Sequence, residues 1–532
     1  VALGLPHATI SDLDSAAAIV LACGDLKEEL PVLYLRVKRA AVELGVPLIE
    51  LAPLATGLTP YTDASLRHAP GEQAELARKL ANALGGTRTG DQDVDRAAAL
   101  LDGRDGHIVM VLGRGDLAEV ADHTVAAASA LAAVDRARFL VALRRGNVRG
   151  ALDLGLAPGF LPGRVTLEQG REWFEQIWDG VPEAEGLDAL GILGAAEQGR
   201  MHALVLLGAD PVHDFPDQTL ARNGIDSAGF VIAVDAFLNE STRRADVFLP
   251  VAMWGERPGS VTNLEGRIQR VGQKISPDGT VMPDWRVASE LAYRLGADFD
   301  LESAEEVQDE IAIVAPSHLG IDSMLLRRAR DGVVVPKAEH EDEIVLGRLS
   351  MRLTDASWEP ITPQPEELEP EELAAIEESV AAGDEAESSG DTSETPGVAA
   401  GEGAHQRPSL HVWTKDASTG AAPARDAYAL RLVTGRTLYD LGTTVACSPS
   451  LAPLAPEPVL RLHPKDRDRI GTADGATVRA TSARGSIMLK VLGDDRVLAG
   501  TAALIFNLSG LGAGDLIDAG ESVTDIRVES VR

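Results

Sequence analysis

Cysteine is nearly absent from this 532-residue chain, which holds only Cys23 and Cys447. Two thiols exclude a disulfide framework, point to a reducing compartment, and leave too few ligands for a four-cysteine iron–sulfur cluster within the sequence. Long apolar runs are missing too. No stretch approaches the roughly 18 residues that a membrane-spanning helix requires, and no charged segment followed by an apolar one opens the chain as a secretion signal would. A soluble protein is expected and, because the first residue is Val, one cut from a longer chain. Positive charge is scarce: 49 Lys and Arg stand against 82 Asp and Glu, a formal net charge of −33. Neutralising phosphates needs basic side chains gathered on one face, so no nucleic-acid partner is expected. The signatures H-E-x-x-H, G-x-S-x-G and G-K-[ST] do not occur. The usual motifs of zinc hydrolysis, serine hydrolysis and P-loop chemistry are thereby removed.

What is present is 45% hydrophobic, enough for several cores, and at about 150 residues per domain the length suggests three or four units. Ala18–Cys23 is a short apolar run. A helical stretch follows, with Glu28 and Glu29 near its positive end and Pro31 suited to a first turn, and then a second apolar run, Val46–Leu51. Strand, helix, strand implies parallel pairing in one sheet. The pattern returns at His107–Gly115, a helix over Leu117–Ala132, and Arg138–Gly146. It returns again at His202–Pro211, a helix over Asp217–Arg222, Phe230–Phe237 and Ala245–Pro250. Continuous rather than alternating apolar runs mark strands covered on both faces, so the fold class is α/β with two Rossmann-like lobes, at 1–100 and 101–300. A helical or irregular extension is expected at 301–358. Between Glu359 and Glu402 there are 14 carboxylates and no Lys or Arg, which reads as a disordered acidic linker over 359–409, with one short helix near Glu371–Val380. Beyond it, short strands such as ALRLVTGR, VLRLHP, ATVRATS, GSIMLKVL and TAALIF, separated by Gly and Asp turns, predict a compact β-barrel at 410–532.

Individual motifs read structurally. GRGDLA (Gly113–Ala118) loosely fits a dinucleotide fingerprint, but the acidic residue that should close the next strand is missing, since Asp135 precedes it; a tight turn is the better reading. DQDVDRAAALLD (Asp91–Asp102) has the aspartates of a calcium loop with Arg96 where that loop needs Gly, so an aspartate-capped helix is expected. His213 and Asp214 follow a strand end and read as a solvated loop pair, and Cys23 as a buried small residue. In RRADVFLPVAMWGERPGSVTNLEGRIQR, Val247–Leu249 reads as a buried strand stopped by Pro250. Gly259 and Gly266 would permit positive φ or close approach, Asn263 could satisfy turn amides, and Glu265 and Arg267 could pair.

The order of these pieces is more specific than any one of them. GDLKEELP, GRG, RRGNVRGALDLGLAPGFLP (Arg144–Pro162), LVLLGADP, STRRADVFLPVAMWGERPGSVTNLEGR and a terminal barrel together resemble the molybdopterin-dependent oxidoreductase fold. Within it they are similar to the family of the G subunit of NADH-quinone oxidoreductase, respiratory complex I. The barrel, with TGRTLYD (Thr434–Asp440) and GTAALIFN (Gly500–Asn507), is similar to the double-psi barrel that takes the dinucleotide end of molybdopterin. The resemblance implies a scaffold body next to an iron–sulfur part ([2Fe-2S] and [4Fe-4S]) lying before Val1. The partners implied are the NADH- and flavin-binding subunit and the connecting subunits of the peripheral arm, on the cytoplasmic face of a bacterial inner membrane. It implies no catalytic, metal or cofactor-binding residue within this chain and no bound molybdopterin. Gly435, Arg436, Thr437 and Asn507 match barrel positions that could touch a dinucleotide, and the loop from Arg243 to Arg270 is expected to fix an interlobe contact. An active molybdenum enzyme of the formate dehydrogenase type is the other reading.

Overall fold

The computed structural model describes residues 2–178, 180–336, 407–414 and 422–531. The first sheet is parallel throughout, in the order β3-β2-β1-β4-β5, built from β1 (Ala18–Ala22), β2 (Leu48–Ala52), β3 (Ala64–Arg67), β4 (Ile108–Leu112) and β5 (Ala137–Val141). Every residue of β1, β2 and β4 is buried, because helices cover both faces. Ile19 and Leu21 pack with Leu33, Val37 and Ala40 of the helix Pro31–Val42. Ala18, Val20 and Ala22 pack with Leu80, Leu101 and Leu131 of three helices on the other side. One of these, Gln92–Asp102, carries the expected cap: the Asp91 carboxylate accepts from the Asp93 and Val94 amides at 3.1 and 3.3 Å, ending the calcium-loop alternative.

Two expectations are corrected within this lobe. The boundary at residue 100 falls inside it, because β4 adds to β1 and β5 to β4. A continuous apolar run shows that a strand will be buried and carries no mark of its neighbour. The helix expected from Leu117 begins at Ala121 instead, since residues 117–120 are drawn into backbone contacts with the barrel.

A short ladder of β6 (Phe160–Leu161) and β7 (Val165–Thr166) leads to the second parallel sheet. Its strands β8 (Leu204–Leu207), β9 (Val231–Asp235) and β10 (Val247–Pro250) lie in the order β10-β9-β8. The buried strand expected at Val247–Leu249 proves to be an edge strand with Val247 36% exposed, which is where Pro250 can be tolerated. A third, antiparallel sheet follows, from β11 (Gly259–Thr262), β12 (Arg267–Val271) and β13 (Val333–Val334). The turn between β11 and β12 is closed by Asn263, whose Oδ1 accepts from the amides of Glu265 and Arg267 at 3.1 and 2.9 Å. Gly266 there has φ +74°, while Gly259 lies in the strand without a positive φ. Glu265 pairs with Arg267 at 2.7 Å and accepts from the Ile10 amide at 2.7 Å, so this loop fastens the hairpin to the first lobe. The extension expected from residue 301 contributes β13 and the helices Ala304–Val314 and Ser323–Arg328 to this unit. Residues 337–358 and the acidic linker up to 406 lie outside the described residues.

The barrel is closed and six-stranded, in the order β14-β18-β15-β17-β16-β19: β14 (Ala429–Val433), β15 (Val459–Leu462), β16 (Thr477–Thr481), β17 (Ser486–Gly493), β18 (Thr501–Ala503) and β19 (Asp525–Ser530). The alternation along β17, exposed then buried, is the period-2 signature of a barrel wall with Ile487, Leu489 and Val491 inside. The segment from 410 to 414 belongs to the lobes and not to the barrel: the Trp413 and His411 amides donate to the carbonyls of Gly4 and Arg164 at 2.9 and 2.8 Å.

Candidate functional site

The carboxyl ends of both parallel sheets point toward one face of the barrel, the place where open α/β sheets take ligands. Three cavities of about 430, 590 and 580 Å³ lie there, and Glu29 borders all three. The first is walled by Gly113, Arg114, Arg144, Gly435 and Arg436. The second lies between Cys23, Asp25 and Glu28 on one side and Thr437, Arg461 and Arg496 on the other. The third is walled by Arg144, Arg145, Asp210, Asp214 and Asp440.

Each arginine at the centre is already paired. Arg144, at the exit of β5, donates to Asp440 Oδ2 at 3.0 Å, and Arg436, at the exit of β14, donates to the same oxygen at 3.1 Å. The Arg436 guanidinium also donates to the Asp214 carbonyl at 3.2 Å and lies 4.7 Å from the Phe506 ring. Arg145, held at φ +84°, pairs with the Asp214 carboxylate. Glu28 takes the Thr437 hydroxyl at 2.8 Å and the Leu438 amide at 3.1 Å. Glu29 is half-buried beside these ions; burial pushes its carboxyl up to about 7, with Arg144 and Arg436 pulling the other way. At the exit of β8, Asp210 accepts from Ser241 at 2.5 Å, His213 at 2.9 Å and Thr443 at 3.2 Å. Burial opposes these bonds, but together they hold the Asp210 carboxyl below its usual range, and the same bond raises His213.

His213 and Asp214 are therefore not a solvated loop pair. One completes an ion pair within the second lobe, and the other bridges the first lobe to the barrel. Of the four barrel residues matched to dinucleotide contacts, Gly435, Arg436 and Thr437 line cavities. Asn507 is buried behind them at φ +61°, its carbonyl accepting from the Leu441 amide at 2.8 Å. Cys23 is buried as expected, and desolvation raises its thiol. The sequence reading missed Arg144, Arg145 and Asp440 as partners, and it took Glu28 and Glu29 only as charges suited to a helix start. The one available signal was the doubled arginine directly after a strand.

A second polar centre welds the first lobe to the barrel. The tight turn GRGDLA places Asp116 where its buried carboxylate accepts from the Ala118 amide at 2.8 Å and from Thr434, at the end of β14, at 2.7 Å. Glu119 accepts from the Gly71 amide at 2.7 Å, while the Arg114 guanidinium donates to the carbonyls of Asp116, Leu117 and Glu119. Burial pushes both carboxyls up, and the charge of Asp116 raises Glu119 further. The helix amino end that a pyrophosphate would need begins only at Ala121, beyond this weld. Among the described residues no group of His, Cys, Asp and Glu is arranged to hold a metal ion, and no helix is long and apolar enough to cross a membrane.

Comparison with known proteins places these features. The model of the molybdopterin oxidoreductase family matches residues 5–294, and that of the molydopterin dinucleotide binding domain matches residues 430–526. The chain is 24% identical over 522 residues to the NADPH-Fe(3+) oxidoreductase subunit alpha of Geobacter sulfurreducens, covering 91% of this chain and 52% of that one. It is 33% identical over 312 residues to the G subunit of NADH-quinone oxidoreductase from Streptomyces coelicolor, covering 57% and 36%. Formate dehydrogenase subunits are also among its relatives. Its fold is similar to that of acetylene hydratase from Pelobacter acetylenicus, with a TM-score of 0.57 and 15% identity over 99% of this chain and 79% of that one. The chain thus spans about half, or less, of the length of the curated relatives it matches.

Proposed function

Since the chain belongs to the molybdopterin oxidoreductase family, whose model matches more than half of it, we propose that it is the cofactor-free body of a protein equivalent to the G subunit of NADH-quinone oxidoreductase. In this reading the whole subunit relays electrons from NADH toward quinone, within a proton-translocating complex on the cytoplasmic side of a bacterial membrane. Iron–sulfur clusters in the rest of the subunit carry the electrons. This half supplies a rigid wall that holds their protein surroundings and keeps water out.

The observation that carries the proposal is the state of the arginines. Holding the pyrophosphate of a pterin dinucleotide through arginine needs guanidiniums free to turn toward it. Here Asp440 takes Arg144 and Arg436, Asp214 takes Arg145, and Glu28 takes the Thr437 hydroxyl. This donor set does not fit the group: an incoming pyrophosphate would meet paired guanidiniums with the carboxylates of Asp440, Glu28 and Glu29 beside them. The relatives named as G subunits of NADH-quinone oxidoreductase, at 33% and 31% identity, support the same choice.

The alternative is a pterin-bearing oxidoreductase of the formate dehydrogenase type, favoured by the open cavities and by relatives of that name. Metal and pterin analysis of the purified full-length gene product separates the two. The proposal expects iron without molybdenum or tungsten and no pterin fluorescence after oxidative release. Stoichiometric metal and pterin would overturn it.

A further inference from the structure

The two lobes are joined to the barrel by different kinds of contact. The first shares a core with it: Ala118 is buried among Leu430, Leu432 and Phe506, and the Leu117 and Thr524 amides donate to main-chain carbonyls across the boundary at 2.8 and 2.9 Å. The second lobe, residues 189–250, keeps its apolar side chains to itself. Leu206, Val212, Ile225 and Ala233 form one core, and Leu193, Leu220 and Ala221 a smaller one. Among the described residues no main-chain hydrogen bond runs from this lobe to the first lobe or the barrel. What crosses the seam is charge. Three carboxylates along one edge, Asp210, Asp214 and Asp217, take the Thr443 hydroxyl at 3.2 Å, Arg145, and Arg484 at 2.6 Å. Asp217 also accepts from the Ala519 amide at 3.3 Å, and Arg222 pairs with Asp515 in the reverse direction at 2.5 Å. The cavity of about 580 Å³ lies in this seam, with Leu207, Asp210 and Phe237 on one side and Arg144, Arg145 and Asp440 on the other. The chain enters the lobe through 182–188, exposed throughout and without helix or strand, and leaves it through 252–258, which has neither.

We propose that residues 189–250 are a jaw, which swings as one body about these two connections and is latched shut over the cavity by the carboxylate seam. Hinged closure needs a body with its own core, connections that can absorb changes in φ and ψ, and an interface whose contacts can be remade in water. The arginines of the seam are 28–50% exposed, so hydration replaces much of what pairing supplies when they part. A shared apolar core cannot part without exposing its surface. The first lobe and the barrel therefore stay together while the jaw moves. Opening turns the cavity into a cleft and brings Asp210 and Asp440 within reach of solutes. The inference rests on these contacts, not on the cofactor-free reading.

The test is a pair of spin-label distances in the purified full-length gene product, in a Cys447→Ser background that removes this chain's exposed thiol. Ser227→Cys on the jaw is paired with Thr477→Cys on the barrel, and Asn82→Cys on the first lobe with Thr477→Cys as reference; all three positions are exposed. Asp214→Asn, Arg222→Gln and Arg484→Gln together remove the latch. With them the 227–477 distance is expected to lengthen by at least about 5 Å, while the 82–477 distance stays as it was. An unchanged 227–477 distance overturns the proposal. A change in both distances also overturns it, since the barrel has then moved as well, and so does a 227–477 distribution without a maximum, the mark of an unfolded lobe.

Discussion

The two parallel sheets of this molecule are written in the same residues and meet different fates. β1 reads AIVLA and β8 reads LVLL, yet every residue of the first is buried while the second alternates, with Val205 and Leu207 largely in solvent. The difference lies in what surrounds them. The first sheet has helices on both faces and a barrel welded to its carboxyl end through Asp116 and Thr434. The second has the helix Gln218–Ser227 on one side, with Ala189–Glu197 packed on that helix, and it meets the barrel through ion pairs such as Arg222 with Asp515 and Arg484 with Asp217. Apolar composition states a strand's need for cover; only the assembled layers show whether the need is met.

The largest effect is expected where charge is buried between lobes. Asp153 is fully buried and accepts from Arg149 at 3.1 Å and from Arg164 at 2.7 and 3.0 Å. Asp153→Ala strands two guanidiniums and should cost about 3–5 kcal/mol in chemical denaturation, with Asp153→Asn recovering part of it. The sheets themselves are compared by Ile19→Ala, expected to cost about 2–4 kcal/mol, against Val205→Ala, expected to cost below about 0.5 kcal/mol in the 532-residue chain. Equal losses would erase the contrast.

Dependence on pH sharpens the same contrast, because the buried titrating groups cluster around the well-covered lobe. Burial lowers His68 and His318 to about 4. An unfolded chain binds protons at these sites below about 6.5 and the folded one does not, so their contribution is present above 6.5 and lost as pH falls toward 4. The slope is at most about 1.4 kcal/mol per pH unit for each histidine. Asp116, Glu119 and Glu29 act in the opposite sense. Their folded pKa values are raised, so their contribution is present at low pH and lost as pH rises through about 7 for Glu29. Below about 6.5 the two sets oppose each other and above it only the carboxyls act, so thermal stability should fall as pH rises from about 6.5 to 8, and stability that rises over that interval would contradict the assignment. A loss smaller than at Asp153 or Ile19 is expected in the loop that fastens the hairpin: Gly266→Ala, at φ +74°, should cost about 1 kcal/mol.

Much of the first lobe was legible in the sequence because its determinants are local. The apolar runs of β1, β2 and β4, Pro31 at a helix start and Asp91 at a cap each act within a few residues. Five of the barrel strands were legible for the same reason; Asp525–Ser530, half charged, was not. The site was poorly legible because its contacts join residues far apart in the chain. Arg144 meets Asp440 and Asp116 meets Thr434 across some 300 positions, and no spacing rule covers such pairs. The exposure of Val205 and Leu207 was illegible for a different reason, since an apolar run carries no sign of whether its face will be covered.

The central claim is that this chain's own carboxylates occupy the cationic donors at the junction of lobes and barrel. Calorimetric titration of the full-length product with inorganic pyrophosphate tests it most directly. The account predicts no saturable binding up to about 1 mM, with binding gained when Asp440→Asn and Asp214→Asn release the arginines. Micromolar binding by the unaltered protein, abolished by Arg436→Ala, would contradict it.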